Sequence, residues 1–469
     1  MYHSRPRRNN SQVRHWPGGT PAGEARIIRL SYTFMLEDFL NDPRSPGART
    51  GPRFYYGWLI VGVSFLAMGF HNSARFSFAI FQVPLIEEFG WGRGALGSGY
   101  ALMLGVYALS GPIAGSLFDK KGPRAIMPWG SVVIGLALAG GYYITSLWHV
   151  YIIYGIFIGS AMSLSGFALH GAMMPRWFQR KRGLATGITL SGGGVGFLLL
   201  FPLIERLIAH AGWRLTYLLF GLTILIVMVP LKLLILRDGP DDVGQAIDGA
   251  PPRESGRPTE AAGHEAKPGM REVFALVRRD RRFWLLAFIV FFLGLNNNTI
   301  MSQLQLFLVD AKYATSTAAL LLGGVGLIRM AGSWGLGWLS DRFGRPRTQA
   351  LSSLISAFGV ALLLLLPAAG ASIPMGILFV LVYGFGMGGM SVCHSAMSAD
   401  AFGGRNFGAI MGFLEICFGA GGVLGPPVAG FAFDLVGSYT LPFLAIIAGL
   451  LSICFVCLFI FPKEAARTE

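Results

Sequence analysis

Long apolar runs separated by short polar segments dominate this chain. A helix needs about 20 apolar residues to cross a bilayer core of about 30 Å, and the runs have that length. They lie at 57–82, 94–118, 125–146, 148–174, 183–206, 214–236, 283–309, 314–339, 347–369, 373–397, 407–431 and 439–461. The pattern predicts an all-α integral membrane protein with about twelve transmembrane helices, six on each side of a polar segment at 237–282.

The composition agrees with a bilayer as the surrounding medium. Of 469 residues, 53% are hydrophobic and 13% charged, whereas soluble domains carry about 25% charged residues. The net charge of +14 comes from basic residues in the N-terminal segment 1–54 and in short segments between the runs, and in the latter Lys and Arg orient membrane helices. We therefore expect a lipid partner and no nucleic acid. The distribution of basic residues predicts that both termini are cytoplasmic, and the high Gly, Ala and Arg content with short loops indicates a multi-pass protein of the cell inner (plasma) membrane.

Polar segments set the predicted domain boundaries. Residues 1–54 lack the apolar core of a signal peptide and are predicted to be a disordered cytoplasmic tail; the true start is either Met1 or Met35. The other predicted units are the six-helix halves 55–236 and 283–462, the cytoplasmic linker 237–282 with a surface helix, and the cytoplasmic tail 463–469.

A charged motif occurs twice, as GSLFDKKGPR at 115–124 and GWLSDRFGRPR at 337–347. Both copies, called here the repeated motif, share Gly-x-Leu-x-Asp-(Lys/Arg)-x-Gly, and their aspartates are 341 − 119 = 222 residues apart. A second echo pairs RGLATG at 182–187 with FGAIMG at 407–412. Two echoes at nearly equal offset predict a duplicated six-helix unit, as in transporters built from internal repeats.

The repeated motif resembles the loop signature of the major facilitator superfamily, and the resemblance covers residues 55–462. RFYYGWLIVGVSFLAMGF, RWFQRKRGLATGITLSGGGVG and RDGPDDVGQAIDG are similar to segments of its monocarboxylate/proton and oxalate:formate branch. The resemblance implies a two-half fold that works by alternating access. It also implies a cytoplasmic gate, with glycines allowing close helix approach and aspartates bonding loop arginines. The gate positions are Gly115, Asp119, Gly122, Arg124, Gly337, Asp341, Gly344 and Arg345.

Arg329, near the middle of the eighth run, is the leading candidate for substrate binding. Arginine at the bilayer centre costs about 2.5–3.5 kcal/mol, so we expect it to face a wet cavity or a partner. Its fork of donors suits a carboxylate, and the alternative is a permanent ion pair with Glu415. The resembled branch keeps an essential arginine here, but its aspartate four residues earlier is replaced by Val325. That replacement leaves the proton-coupling group open.

His71 and Arg75 are four residues apart and share a helix face. Arg75 is expected near the outer side, where it either collects an anion or snorkels to headgroups. His71 either relays a proton or is a packed histidine, and Glu415 is the second proton-coupling candidate because burial and a nearby arginine act on its carboxylate in opposite directions. His71 is also part of the predicted substrate site, and four neutral or weakly basic groups complete it, namely Asn297, Asn298, Gln303 and His394.

These residues predict a secondary active transporter that moves a small organic anion, either a monocarboxylate or a short dicarboxylate, together with protons. The predicted protein is monomeric and needs no cofactor or metal. One alternative is a transporter of a larger aromatic nutrient, a vitamin such as a flavin, or a drug; another is a non-transporting membrane sensor. An enzyme is not expected, because phosphate-loop, Gly-x-Ser-x-Gly and metal-ligand patterns are missing from the sequence. The four cysteines, including the pair Cys454 and Cys457, lie in apolar runs and are interpreted as packing residues.

Overall fold

The protein is described from a computed structural model, which covers residues 55–249, 274–275, 277–402 and 407–461. The tails predicted at 1–54 and 463–469 lie outside the described residues, as do residues 250–273 of the predicted linker, which include the start of the surface helix predicted there. Over the described ranges the secondary structure is entirely helical, which confirms the all-α prediction.

Ten helices of the described part are long and apolar enough to cross a membrane. One of them, Arg182–Ile235, bends at Gly212, whose φ of 80° breaks it into two spans. The helix that begins at Gly57 adds one more span, so the described ranges hold 10 + 1 + 1 = 12 helical rods.

The rods are numbered α1 to α12 in chain order. The first half comprises α1 (Gly57–Phe76 and Phe78–Phe89), α2 (Arg93–Lys121), α3 (Pro123–Gly140), α4 (Leu147–Trp177), and α5 and α6 (Arg182–Ile235, before and after Gly212). The second half comprises α7 (Arg281–Asp310), α8 (Thr315–Phe343), α9 (Arg345–Leu365), α10 (Ile373–Phe402), α11 (Phe407–Val436) and α12 (Thr440–Phe455). Most rods run a few residues past the predicted apolar runs, because polar residues at the ends continue the helices.

The two copies of the repeated motif have the same backbone geometry. Gly122 ends α2 with φ 79°, and Gly344 ends α8 with φ 89°. A proline then opens the following helix in both copies. Glycine adopts positive φ without the steric cost that a Cβ would bring, so the shared glycine has a direct structural reason. The matching turns fit the duplicated six-helix architecture.

The halves pack closely at the end of the bundle opposite the repeated motif. There, a Cβ on Gly97 of α2 would lie 2.8 Å from the carbonyl oxygen of Pro426 in α11; nearer mid-length, one on Gly194 of α5 would lie 2.7 Å from that of Gly326 in α8. Small residues permit such close helix approach. Towards the motif end, Gly115 has no heavy atom within 4 Å of its Cβ position, so the close helix contact predicted for Gly115 is not made in this conformation.

Candidate functional site

Two arginines from opposite halves meet on neighbouring residues of α7. Arg75 of α1 donates from Nη2 to Oδ1 of Asn298 at 2.8 Å, and Arg329 of α8 donates from Nη1 to Oδ1 of Asn297 at 2.8 Å. Each of these residues lies near the middle of its helix. We call this group, with Ser391 and Glu415, the central cluster.

The described partners of Arg329 are neutral. Its Nη2 donates to Oγ of Ser391 at 2.8 Å, and that hydroxyl donates to the carbonyl oxygen of Met387 at 3.0 Å. A guanidinium has five N–H donors, and the described hydrogen bonds use only some of them. The permanent ion pair with Glu415, considered above as an alternative, is not among these contacts. Arg329 therefore keeps its charge and donors for a ligand.

Asn298 is fixed by its surroundings before any ligand arrives. Its side chain is fully buried, its Nδ2 donates to the carbonyl oxygen of Gly294 at 2.9 Å, and the hydroxyl of Tyr100 approaches its Oδ1 at 3.4 Å. The neighbouring Asn296 accepts from Tyr383 at 3.2 Å. Orientation by several partners keeps the acceptor of Asn298 aimed at Arg75, which preorganises this part of the cluster.

Glu415 lies at the edge of the central cluster, and His394 lies beside it. Glu415, on α11, has an exposed side chain and interacts electrostatically with Arg75. His394, on α10, donates from Nδ1 to the carbonyl oxygen of Met390 at 3.0 Å and interacts electrostatically with Arg329. With two arginines and one glutamate, the cluster has a formal charge of 2 − 1 = +1 when His394 is neutral.

Arg75 does not lie at the outer side, as the sequence suggested. Its helix continues to Phe89, seven residues beyond the predicted run, so Arg75 lies near mid-length and contacts α7 rather than headgroups. The structure thus places Arg75, Arg329, Asn297 and Asn298 together, with Glu415 and His394 at the border.

Two other predicted site residues lie elsewhere. Gln303 is buried in α7 towards the end opposite the motif, where its Nε2 donates to the carbonyl oxygen of Pro426 at 3.3 Å and its Oε1 accepts from Tyr439 at 3.1 Å. His71 is buried on α1 and lines a separate small cavity that also contains Lys232.

Across the closed end, Arg93 joins the two halves. Its guanidinium bonds both carboxylate oxygens of Asp310, at 2.5 and 2.8 Å, and donates to the hydroxyl of Tyr439 at 2.9 Å. The backbone N–H groups of Arg93 and Gly94 donate to Asp434 at 2.9 and 2.8 Å. We call Arg93, Asp310, Asp434 and Tyr439 the Arg93 latch. Arg93 is not among the site residues predicted from the sequence.

The aspartates of the repeated motif bond arginines of their own half. Asp119 lies 3.9 Å from Arg176, and Asp341 lies 3.4 Å from Arg345. Arg345 also pairs with Asp400 at 2.5 Å. In this conformation these ion pairs do not bridge the halves, and the gate role that the resemblance implied for the motif stays a prediction.

The first part of the segment predicted as a linker packs against the first half. Asp238 accepts from the backbone N–H of Arg124 at 2.9 Å, and Asp248 accepts from that of Arg180 at 2.8 Å. Gln245 accepts from the backbone N–H of Tyr56 at 2.9 Å. Residues 237–249 therefore tie together the motif-end termini of α1, α3 and the α4–α5 loop.

Sequence reasoning overlooked Lys232, which is only 2% exposed inside α6. The sequence feature that could have identified it is a single lysine in the apolar stretch VPLKLLI. An ionisable residue within a membrane helix indicates a functional site by default. Glu205 of α5, only 6% exposed, is likewise more buried than Glu415.

Comparison with known proteins gives consistent matches along the chain. The Major Facilitator Superfamily model matches residues 57–380 and 332–469. Monocarboxylate transporter 13 of Rattus norvegicus is 26% identical over 394 residues, covering 84% of this chain and 86% of that protein. Monocarboxylate transporter 2 of Homo sapiens is 24% identical over 407 residues, covering 85% and 84%.

A solved transporter structure has a similar fold. The crystal structure of a bacterial homolog to the human lysosomal transporter Spinster, in an inward-facing and unoccupied conformation, superposes with a TM-score of 0.62 at 17% sequence identity. The superposition covers 90% of this chain and 96% of that chain.

Proposed function

Since this chain belongs to the Major Facilitator Superfamily, we propose that it carries a small organic anion across the membrane together with a proton. Membership of this family makes it a multi-pass membrane transporter and not an enzyme. One observation carries the choice of substrate: Arg75 and Arg329 from opposite halves converge on Asn298 and Asn297. The relatives named as monocarboxylate transporters support the same class.

The charge of the central cluster suits one carboxylate. Its formal charge is +1 with Glu415 ionised and +2 with Glu415 protonated, so the cluster attracts a carboxylate in either state. Arginine binds carboxylates through two parallel N–H donors, and Asn297 and Ser391 hold the Arg329 guanidinium in place for that contact. A carboxylate that bridges Arg75 and Arg329 would draw the halves together, which is the coupling that alternating access requires.

Glu415 is the group we assign to proton coupling. Of the two candidates from the sequence, Glu415 interacts with Arg75, whereas His71 faces the separate cavity around Lys232. A carboxylate beside an arginine competes with the substrate for the same cation. Substrate binding therefore favours a proton on Glu415, and substrate release favours its loss.

We further propose that the motif end faces the cytoplasm, as the distribution of basic residues indicates. The structure would then be the inward-open conformation, closed to the outside by the Arg93 latch. The same orientation puts both termini in the cytoplasm of a cell whose inner membrane holds the protein.

The test is uptake into proteoliposomes of labelled formate, oxalate, lactate and pyruvate, with and without an inward proton gradient. We expect gradient-driven uptake of at least one acid, reduced by about 100-fold in Arg329→Gln because the charged contact to the substrate is lost (about 3 kcal/mol). Arg206→Gln, an exposed arginine of α5, is the matched control and should leave uptake unchanged. Failure of folded wild-type protein to take up any acid would reject the carboxylate assignment in favour of a larger nutrient.

Glu415→Gln tests the coupling separately. The neutral amide cannot exchange a proton, so we expect gradient-driven uptake to be lost while exchange of internal for external substrate continues. If Glu415→Gln still responds to the proton gradient, the coupling group lies elsewhere. Measuring both modes on the same vesicles separates a coupling defect from a general loss of transport.

A further inference from the structure

A second polar cluster lies inside the first half, away from the central cluster. Lys232 of α6 is buried and donates from Nζ to the hydroxyl of Ser131 in α3 at 2.8 Å and to that of Ser165 in α4 at 2.6 Å. Four helices meet here, because His71 of α1 lines the same cavity as Ser131, Ser165 and Lys232, and His170 of α4 interacts electrostatically with Lys232 and His71. We call these five residues the Lys232 cluster.

Within the described residues the cluster contains donors but no carboxylate. The described hydrogen bonds of Lys232 are the two serine contacts alone, and it forms no described ion pair. An ammonium taken out of water without a counter-charge costs at least several kcal/mol, so a group of this kind calls for an anion. Each serine that accepts from Lys232 still has its own O–H to donate.

The two histidines have ring nitrogens without partners. His71 is 7% exposed, and its Nδ1 has no hydrogen-bond partner; His170 is fully buried, and neither of its ring nitrogens has one. Buried polar atoms are usually satisfied, so the unpartnered Nδ1 of His71, which lines the same cavity as Lys232, points to a small ligand there.

A cavity exists at this point. It is lined by His71, Ser131, Ser165 and Lys232 on one side and by apolar residues such as Ile134 and Met228 on the other. The space open to the centre of a water-sized sphere is about 10 Å³, which accommodates one water molecule or one monatomic ion, but not an organic acid.

A break in α4 adds a positive helix end to the same place. The first part of α4 ends at Ser165, and Gly166 has φ −95° and ψ −166° before an 11-residue helix, Phe167–Trp177, begins. A Cβ on Gly166 would lie 3.1 Å from Nε2 of His71, so this helix start touches the cluster. The first N–H groups of a helix have no partner within it, and broken helices of transporters direct such ends at anions.

We propose that the Lys232 cluster binds one monovalent inorganic anion of halide size. Lys232 provides the charge, the hydroxyls of Ser131 and Ser165 and the imidazole N–H of His71 provide donors, and the start of Phe167–Trp177 adds the helix dipole. The anion neutralises the lysine and joins α3, α4 and α6 to α1. Since α1 also carries Arg75 one turn beyond His71, occupancy of this site also positions the helix that contributes to the central cluster.

Two measurements on the full-length purified protein test the site without relying on transport. The first is the Tm in sodium chloride or bromide against sodium gluconate at equal ionic strength. The second is equilibrium binding of ³⁶Cl⁻ with bromide and gluconate as competitors. We expect the halides to raise the Tm by a few degrees, because a ligand of the folded state stabilises it. We also expect saturable chloride binding that bromide displaces and gluconate does not.

The variant Lys232→Met keeps the length of the side chain and removes its charge. We expect it to lose the halide-dependent rise in Tm and the ³⁶Cl⁻ binding. In gluconate its Tm should equal or exceed that of the wild type, because an uncompensated buried charge has been removed. Lys312→Met, an exposed lysine after α7, is the matched control and should keep both halide responses. Arg329→Gln should keep them too, since the central cluster is a separate site.

The proposal is overturned if the wild-type protein shows neither a halide effect on Tm nor saturable ³⁶Cl⁻ binding. It is also overturned if Lys312→Met loses the response together with Lys232→Met. A Tm that depends on pH but not on halide would mean that the lysine holds or releases a proton instead. Should Lys232→Met fail to fold, Ser165→Ala is the second variant, with weaker ³⁶Cl⁻ binding expected.

Discussion

The two ends of the bundle differ in whether polar contacts cross between the halves. At the closed end, Arg93 of the first half bonds Asp310, Asp434 and Tyr439 of the second. At the motif end, Asp119 pairs with Arg176 of its own half, and the ion pairs of Asp341 and Arg345 likewise stay inside the second half.

The difference extends to the packing of small residues. Near the Arg93 latch, Gly94 and Gly97 are crowded by Phe431 and by the carbonyl of Pro426, whereas Gly115 on the same helix faces open space. One helix, α2, is thus packed against the other half at one end and free of it at the other. A rocking carrier needs such an arrangement, in which bonds at one end are exchanged for bonds at the other.

The largest effect is expected from breaking the latch itself. Arg93→Gln removes the bidentate contact with Asp310, and charge-assisted hydrogen bonds contribute about 1.5–3 kcal/mol each. Water replaces part of the lost hydrogen bonds, so we expect the ratio of open to closed molecules at this end to rise about 10- to 100-fold. Spin labels at Glu87 and Lys312, both exposed near this end, would report the change as a larger fraction of long inter-label distances, once the four native cysteines are replaced.

A charge reversal serves as the control for the latch. Arg93→Asp combined with Asp310→Arg restores opposite charges. Recovery should be partial, because the carboxylate introduced at position 93 is repelled by the neighbouring Asp434. Arg206→Gln, on the same half but outside the latch, should leave the distances unchanged. An Arg93→Gln protein with the wild-type distance distribution would show that helix packing alone keeps this end closed.

Much of the fold could be predicted from the sequence, for a physical reason. Bilayer thickness fixes the length of an apolar run, so most spans were predicted within a few residues, and α1 is the exception because it continues seven residues further to Phe89. The repeated motif fixed the duplication, because Gly122 and Gly344 occupy the same positive-φ turn. The bend at Gly212 also falls between two predicted runs.

The site was predicted less completely, because its contacts depend on which helices become neighbours. Asn298 and Gln303 lie in one polar stretch, yet five residues move a side chain about 7.5 Å along a helix. That shift takes Gln303 from the central cluster to Tyr439 at the closed end. Arg93 and Lys232 were missed for the same reason, since their partners Asp310, Ser131 and Ser165 come from distant parts of the chain.

An intermediate loss of stability is expected when a glycine of the repeated motif is replaced by alanine. The loss should differ between Gly122 and Gly344. Gly122 (φ 79°, ψ 164°) and Gly344 (φ 89°, ψ 140°) have conformations that favour glycine, so an alanine at either position costs about 1–3 kcal/mol. A Cβ on Gly122 would also lie 2.3 Å from Asp238, whereas Gly344 has open space. Gly122→Ala should therefore lower the Tm in detergent more than Gly344→Ala does.

Asp238→Ala identifies the cause of that difference. Combined with Gly122→Ala it removes the clash, so the double variant should lose less stability than the sum of the two single variants. Equal Tm values for Gly122→Ala and Gly344→Ala would mean that Asp238 moves aside at no cost, and that only the backbone conformation distinguishes glycine at these turns.

The smallest effect on stability is expected at the motif aspartates. The side chains of Asp119 and Asp341 are 82% and 68% exposed, with their pairs at 3.9 and 3.4 Å, and exposed pairs contribute about 0–1 kcal/mol. Asp119→Asn and Asp341→Asn should thus shift the Tm by no more than about 2 °C in this conformation.

If the aspartates hold the motif end closed in the alternate conformation, transport should fall much further than stability. The same variants in the spin-labelled protein would then show fewer long distances at the Arg93 end, opposite in sign to Arg93→Gln. Unchanged distances together with unchanged transport would limit these charges to orienting the helices in the membrane.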